Sequence, residues 1–217
     1  MNEHEFEPTP GLPGPLPKGE TILWQGAPDW QAFATRALWV KWIVAYFAIL
    51  AAWGIADQIA SGTPAISVAL ATTRLAALAA VAVGLLLLFA WLVGRTTLYT
   101  ITTSRIVIRF GIALPMTIQI PFRVIDAAGV TVGSEGIGDI ALTLRPQQRI
   151  GYLILWPHAR PWKLAHAQPA LRSLPDAAGA AQILGRALSA AAEQPAEPVR
   201  IEVAAESGGN AHVPAAA

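Results

Sequence analysis

The chain of 217 residues contains no cysteine, which excludes disulfides, iron–sulfur clusters and thiolate metal sites. Charge is scarce as well, because Asp, Glu, Lys and Arg together supply 13 % of the residues while apolar types supply 54 %. The 15 basic and 14 acidic side chains nearly cancel, so the composition does not indicate a nucleic-acid partner. This balance is typical of a small membrane protein.

Motifs of enzymatic sites are lacking too. The sequence shows no nucleophile–base pattern, no phosphate-binding glycine loop and no motif of paired carboxylates. The four histidines are scattered without the local spacing of a metal site, and we expect each to be solvated or hydrogen-bonded: His4, His158, His166 and His212. We therefore predict no catalytic residue, no bound metal and no cofactor. The acidic start MNEHEFEPTP also lacks the apolar region of a signal peptide.

The longest apolar run, LAALAAVAVGLLLLFAWLV at residues 75–93, lies between Arg74 and Arg95. Its length of about 19 residues matches the hydrocarbon core of a bilayer at about 1.5 Å per residue. A core helix of a soluble protein would need a polar face, and this run has none. We interpret it as a transmembrane helix.

A first transmembrane helix is predicted over residues 37–56, with Lys41 one turn inside and Asp57 and Gln58 at its exit. The loop 57–74 then contains a single basic residue, Arg74, whereas the other Lys and Arg lie before the first span, at its entrance or after the second. The positive-inside rule places both termini in the cytoplasm and this loop outside.

Small residues recur at helical spacing in both predicted spans. In the second, Ala76, Ala80 and Gly84 repeat every four residues, and in the first Ala45, Ala48, Ala52 and Ala56 share a face. Small faces allow close helix packing in lipid. The two spans would pack on each other through these faces, or one face would be left for a second copy of the chain or for a helix of a client protein.

The segments before the spans differ in character. Residues 1–19 are rich in proline and should be extended, either as a tether or as a peptide that docks through Phe6 and Leu12. In contrast, ETILWQGAPDW is too apolar for a free linker, and we expect it to pack on the membrane surface or on the C-terminal domain. Asp29 is the predicted N-cap of a helix that begins near Trp30.

From Thr97 the pattern changes from helical to alternating, which predicts short strands. They cover about 105–110, 116–120, 124–132, 139–144 and 152–156, with turns at 103–104 and 133–136, and their inward side chains include Ile106, Ile108, Phe110, Ile140, Leu142 and Leu144. This spacing favours a small barrel or sandwich. Ser173 and Asp176 predict the capping box of a final helix, which carries Ile183, Leu184 and Leu188 on one side and stops at Pro195.

Two surface groups are candidate partner sites. Arg105 and Arg109 share the outward face of one strand and Arg123 begins another, so they are either a solvated face or a site for anionic lipid or an acidic client. The second group contains Trp156, Arg160 and Trp162. Tryptophan and arginine are common at protein interfaces, although packing of these aromatics on the domain or at the membrane surface is the alternative.

Several stretches resemble known families. YTITTSRIVIRFG is similar to the first hairpin of bacterial pleckstrin-homology-like (PH-like) domains, GIGDIALTL is similar to their glycine-then-strand segment, and ILWQGAPDW before a pair of spans resembles their membrane-anchored members. With the start EFEPTPGLPGPLPKGE, residues from about 3 to 190 resemble the PuhB-type photosynthetic complex assembly proteins.

The resemblance implies an α+β membrane protein, in which a two-helix transmembrane hairpin precedes a PH-like small β-barrel or sandwich that a C-terminal helix caps. The predicted parts are a proline-rich segment (1–19), a juxtamembrane segment (20–36), the hairpin (37–94), a cytoplasmic PH-like domain (95–194) and a disordered tail (195–217). The resemblance also implies a non-enzymatic factor that helps to build the photosynthetic reaction centre and its core antenna. Its location would be a bacterial inner (intracytoplasmic) membrane.

The partners implied are reaction-centre subunits, core antenna polypeptides, other assembly factors, membrane lipid and a second copy of the chain. Neither predicted span contains His, Glu or Cys, so a bacteriochlorophyll would need a backbone or water ligand there. The main alternative is a lipid-binding or membrane-organising PH-like module without a photosynthetic client. A membrane enzyme or a pigment-delivery protein is a third.

Overall fold

A computed structural model describes residues 11–133, 136–147, 150–161, 163 and 167–193. Within these ranges a helical hairpin adjoins a domain of two antiparallel sheets, ordered β1-β2-β3-β4 and β5-β6-β7. The strands are β1 (Ile22–Gly26), β2 (Leu98–Thr102), β3 (Arg105–Phe110), β4 (Met116–Pro121), β5 (Ile125–Val132), β6 (Gly138–Leu144) and β7 (Ala170–Leu174). The helices are α1 (Trp30–Ala32), α2 (Val40–Ala60), α3 (Ala65–Thr96), α4 (Tyr152–Leu155) and α5 (Ala177–Glu193). The predicted order of elements, a helical pair, then strands, then a C-terminal helix, is confirmed.

The hairpin helices α2 and α3 are both long and apolar enough to cross a membrane. Their bounds differ from the predicted 37–56 and 75–93. The first helix begins later, because residues 33–37 form a π-helical turn and Trp39 adopts a left-handed φ of 58°. The first helix also continues past Asp57. Within it, the side-chain amide Nε2 of Gln58 donates a hydrogen bond to the Gly54 carbonyl at 3.0 Å.

The connection between these helices is short, at residues 61–64, so the predicted loop 57–74 is wrong. Gly62, with a φ of +72°, ends the first helix, and Pro64 occupies the N-cap position of α3. No glycine or proline interrupts residues 65–74, so the helix starts ten residues before Leu75 and includes Arg74.

The sheets form around the apolar side chains that the alternation predicts. The turn at Thr103 and Ser104 joins β2 to β3, and Ile106 and Ile108 are fully buried. Ile140 and Leu142 of β6 join the same core, as do Leu184 and neighbouring apolar residues of α5. The two sheets are not closed into a barrel, since β4 and β5 are joined through a 3-10 turn at Phe122–Val124 and belong to different sheets.

The segment before the hairpin belongs to this domain. Its strand β1 pairs with β2, and Asp29 Oδ1 accepts a hydrogen bond from Ala32 N at 2.7 Å, which confirms the predicted cap. Asp29 N donates to the Ser173 carbonyl, and the Arg36 guanidinium donates to the Ile137 carbonyl at 2.7 Å. These contacts join both sheets through residues that precede the spans.

Three local predictions are wrong. Residues 152–155 form the helix α4 instead of a strand. Ser173 is not a cap, because it lies buried in β7 with a φ of 53°, whereas Asp176 Oδ1 accepts from Gly179 N at 2.8 Å and caps α5 without it. The alternation from Arg105 to Phe110 also predicts a strand that is buried on one face alone, yet Val107, on the outward face with Arg105 and Arg109, is fully buried.

Residue 11 lies against the neighbouring strand β2, which helps to explain why Val107 of β3 is buried. Leu12 is 4 % exposed, and Gly11 lies so close to the Leu98 side chain that a Cβ there would overlap it. Gly11 and Leu12 therefore pack on the chain's own domain, whereas Pro13, Pro15 and Pro17 are exposed. Phe6, Trp162, three of the four histidines (His4, His166 and His212) and the tail from 195 lie outside the described residues.

Candidate interaction surfaces

The domain has two distinct ends relative to the hairpin. Strand β2 starts at Leu98, two residues after α3 ends, and Leu98 pairs with Arg109 of β3. The β3–β4 connection, residues 111–115, is thus at the helix-proximal end. The β2–β3 turn at Thr103 and Ser104 is at the helix-distal end, about 17 Å from Leu98 along a strand that rises about 3.3 Å per residue.

A buried histidine organises the helix-proximal end. His158 is 1 % exposed, and its Nδ1 lies 2.8 Å from the Tyr99 hydroxyl while its Nε2 lies 3.3 Å from Thr97 Oγ1. Its ring also packs near Phe33 and Phe110, with centroids 6.2 and 5.0 Å away. Burial, followed by the nearby Arg172 guanidinium, lowers the pKa of His158 to about 3, and burial raises the pKa of Tyr99. The neutral imidazole is a structural link between domain and hairpin.

Arg172 extends this polar cluster towards the second sheet. Its Nη1 donates to the Pro157 carbonyl at 3.4 Å, and its Nε lies 3.8 Å from an Asp139 oxygen. The other oxygen of Asp139 accepts from Ser173 N at 2.7 Å. Nε of Arg172 and Oγ of Ser173 are buried without a hydrogen bond. Sequence reasoning missed this cluster because its members are remote in the chain and follow no motif.

The three predicted arginines do not form one site. Arg105 makes a bidentate ion pair with Glu20, at 2.9 and 2.7 Å, and donates to Gln119 Oε1 at 2.6 Å. Arg109 is half-buried at the opposite, helix-proximal end of β3. Arg123 is exposed near the helix-distal end, where it lines a groove. Arg105 is therefore engaged within the chain.

The predicted tryptophan–arginine group is also divided. Trp156 is 49 % exposed, and its indole stacks on Phe89 of α3 with centroids 5.5 Å apart and planes 23° apart. Arg160 is exposed and donates to Gln168 Oε1 at 3.1 Å. Trp156 is therefore directed at the hairpin, whereas Arg160 is held beside the second sheet.

A groove runs between the hairpin helices on one side. It encloses about 400 Å³ and is lined by Val44, Phe47, Ala48, Ala51, Thr72, Leu75, Ala76, Ala79, Ala80 and Val83. Two of the predicted contact residues, Ala76 and Ala80, thus lie in its wall. Gly84 is exposed, and a Cβ built on it would meet no atom within 4 Å. The first span therefore does not cover Gly84.

Metal-binding chemistry has little support in the described ranges. Among those residues, no group of three or more His, Cys, Asp or Glu side chains is placed to hold a metal ion. The arrangement offers surfaces for binding: an apolar groove along the hairpin, apolar loops at the helix-proximal end and arginines at the helix-distal end.

Comparison with known proteins agrees with this architecture. A family described as the bacterial PH domain matches residues 37–188. A relative from Rhodobacter capsulatus, the "Uncharacterized 23.7 kDa protein in puhA 5'region", is 40 % identical over 198 residues, which cover 90 % of this chain and 92 % of the relative. No solved structure matches the chain. The predicted PH-like domain is confirmed, and a relative from the puhA 5' region is consistent with the narrower resemblance to PuhB-type proteins.

Proposed function

This chain belongs to the bacterial PH domain family, and from that premise we propose that it is a non-enzymatic assembly factor for the photosynthetic reaction centre and its core antenna. The observation that carries the proposal is the 40 % identical relative whose name places it in the puhA 5' region. The resemblance of residues 3–190 to photosynthetic complex assembly proteins points the same way.

The proposed place of action is the bacterial inner membrane. Apolar side chains of the hairpin are left open to the surroundings: Trp53 is 76 % exposed, Ile49 68 % and Leu85 62 %. Such a surface is too large and continuous for a helix pair in water, whereas lipid would cover it. Both helices would cross the bilayer, with the PH-like domain and both termini in the cytoplasm.

The groove between the helices is the proposed client site. Its wall combines Ala48, Ala76 and Ala80 with larger apolar side chains, so a third helix could approach closely along it. In lipid such an association depends on packing, because the lipid tails are as apolar as the groove. A transmembrane helix of a newly made reaction-centre subunit is the occupant we propose, and binding would need no chemical turnover.

The second candidate function is a lipid-binding or membrane-organising module without a photosynthetic client. Arg123 and Arg145 line one groove together with Asp126, and two guanidinium groups beside one carboxylate leave a net positive charge that could pair with a phosphate. That groove is near the helix-distal end of the domain, which faces away from the bilayer in the proposed topology. Its position therefore favours an acidic protein surface over a lipid headgroup, and the first proposal is preferred.

Deletion of the gene tests the proposed function. We expect less assembled reaction centre and core antenna, measured by absorbance of isolated membranes, with pigment synthesis largely retained. Complementation by an Ala76→Leu/Ala80→Leu variant should fail, whereas Ala77→Leu, which lies outside the groove wall, should restore the complexes. Normal levels of both complexes in the deletion strain would refute the assembly role.

A further inference from the structure

The short helix α4 presents its apolar side chains outward. Leu153 is 88 % exposed, Ile154 52 % and Trp156, which follows the helix, 49 %, while Leu155 is fully buried. Leu155 thus attaches the helix to the protein, whereas Leu153 and Ile154 face outward and Trp156 is half-exposed. Three adjacent exposed apolar side chains are costly in water and mark a contact surface.

The position of α4 along the hairpin follows from one contact. The Trp156 indole stacks on Phe89 of α3. Phe89 precedes Arg95 by six residues, which corresponds to about 9 Å along a helix. Arg95 lies over the Trp91 ring at 5.0 Å, at the end of the apolar run. The α4 loop is therefore level with apolar residues of α3 and deeper than the arginine that follows them.

A second apolar loop lies at the same end. The β3–β4 connection exposes Ile112 at 40 % and Leu114 at 79 %, and Met116 beside it at 43 %. The sequence from Gly111 to Met116, GIALPM, carries no charge. Gly111 has a φ of +121°, and a Cβ there would overlap the Leu114 carbonyl, so the turn that presents Leu114 requires glycine.

The two loops are held next to each other. Phe110, the last residue of β3, packs against His158 with centroids 5.0 Å apart, and His158 follows Trp156 by two residues. The exposed groups of both loops therefore flank the helix-proximal end, and Trp39 and Trp42 at the start of α2 are exposed as well.

We propose that α4 and the β3–β4 connection insert into the bilayer leaflet next to the domain, at the boundary between acyl chains and headgroups. Together with the hairpin they would fix the orientation of the PH-like domain on the membrane. Lipid is the occupant because the surface continues that of α3 at the level of Phe89, and because tryptophan is favoured at this boundary. The inference rests on the proposed membrane-spanning hairpin.

The absence of cysteine allows a direct test with single-cysteine variants that carry a spin label. Leu153→Cys and Leu114→Cys probe the two loops. Leu85→Cys is the lipid control, and Ser189→Cys is the aqueous control, since α5 is exposed there and its end lies near Arg123 at the helix-distal end. Each full-length variant is placed in nanodiscs, and its relaxation by oxygen and by a water-soluble nickel chelate is measured.

Compared with the aqueous control at 189, the labels at 153 and 114 should be relaxed less by the nickel chelate and more by oxygen. The label at 85 should behave in the same way. Water-like behaviour at 153 and 114, with a lipid-like label at 85, would overturn the insertion and leave the hairpin intact. A water-like label at 85 would instead refute the proposed spanning helices. Dipolar coupling between labels at 153 on separate copies would show that a second copy of the chain, and not lipid, covers this surface. That result would also overturn the proposal.

Discussion

The Nδ1 atom of His158 lies 2.8 Å from the hydroxyl oxygen of Tyr99, inside a cluster from which solvent is excluded. The pair joins the loop after α4 to β2, the strand that leaves the hairpin. Because a charged imidazole would be buried here beside Arg172, the pKa of His158 in the folded chain is about 3. The unfolded chain binds a proton at the ordinary pKa of about 6.5.

Stability should consequently fall on acidification. Above pH 6.5 both states are neutral at His158 and the full stability is present. Between pH 6.5 and the folded pKa of about 3, only the unfolded state gains the proton. The free energy of unfolding then falls by about 1.4 kcal/mol per pH unit, or about 2 kcal/mol between pH 6.5 and 5. Thermal unfolding in detergent, followed by tryptophan fluorescence, measures this slope.

Two variants separate burial from hydrogen bonding as the cause. His158→Gln should unfold at a lower temperature than the unchanged chain at pH 7.5. Its unfolding temperature should then fall less between pH 7.5 and pH 5. Tyr99→Phe keeps the histidine buried and should retain the slope, because burial is the larger cause of the lowered pKa. If His158→Gln and the unchanged chain have parallel pH profiles, the assignment is wrong.

The Glu20–Arg105 ion pair predicts a cost for removing the acidic partner. The Glu20 side chain is 6 % exposed and that of Arg105 25 %, and Glu20 also accepts from Thr102 Oγ1 at 2.6 Å. Glu20→Gln should lower the free energy of unfolding by about 1–3 kcal/mol, since it leaves a largely desolvated guanidinium without its charge partner. Denaturant unfolding measures the loss.

Arg123→Gln is the matched control for that experiment, because Arg123 is exposed and a substitution there should stay within about 0.5 kcal/mol. Equal stability of Glu20→Gln and the unchanged chain would show that the Glu20–Arg105 ion pair does not stabilise the fold.

Replacement of Gly84 separates association from folding. No atom lies within 4 Å of a Cβ at this position, so Gly84→Leu should leave the thermal stability and proteolytic resistance of the hairpin unchanged. The added side chain should reduce cross-linking to a client helix or to a second copy, because a close helix crossing tolerates only small residues. Loss of stability with unchanged cross-linking would assign Gly84 to the internal packing of the hairpin.

Membrane topology can be measured with reporter fusions. A reporter fused at Gly62, in the short connection between α2 and α3, should indicate a location outside the cytoplasm. A reporter at the C-terminus should indicate a cytoplasmic location. The asymmetry of Lys and Arg around the hairpin is the physical reason. A cytoplasmic signal from the Gly62 position would rule out a hairpin that crosses the bilayer twice.

Much of this architecture was predictable because it depends on local patterns. The uncharged run at 75–93, the alternation from Arg105 to Phe110 and the cap at Asp29 each specify an element from neighbouring residues. Boundaries were less predictable: Arg74 and Asp57 look like helix ends, yet both helices continue through these charges, because a single charged side chain does not break backbone hydrogen bonding. The helix at 152–155 likewise depends on contacts outside its own four residues, such as the stack of the following Trp156 on Phe89.

The sequence by itself determined the apolar helix pair and the alternating strands, since both depend on the spacing of apolar residues that are close together in the chain. Tertiary structure alone decided how remote residues are used. It buries Glu20 against Arg105, places His158 beneath Tyr99 and divides three candidate arginines between two ends of the domain. These outcomes depend on strand pairing across the inserted hairpin, because β1 precedes it, β2 follows it, and pairing brings residues about 80 positions apart into contact.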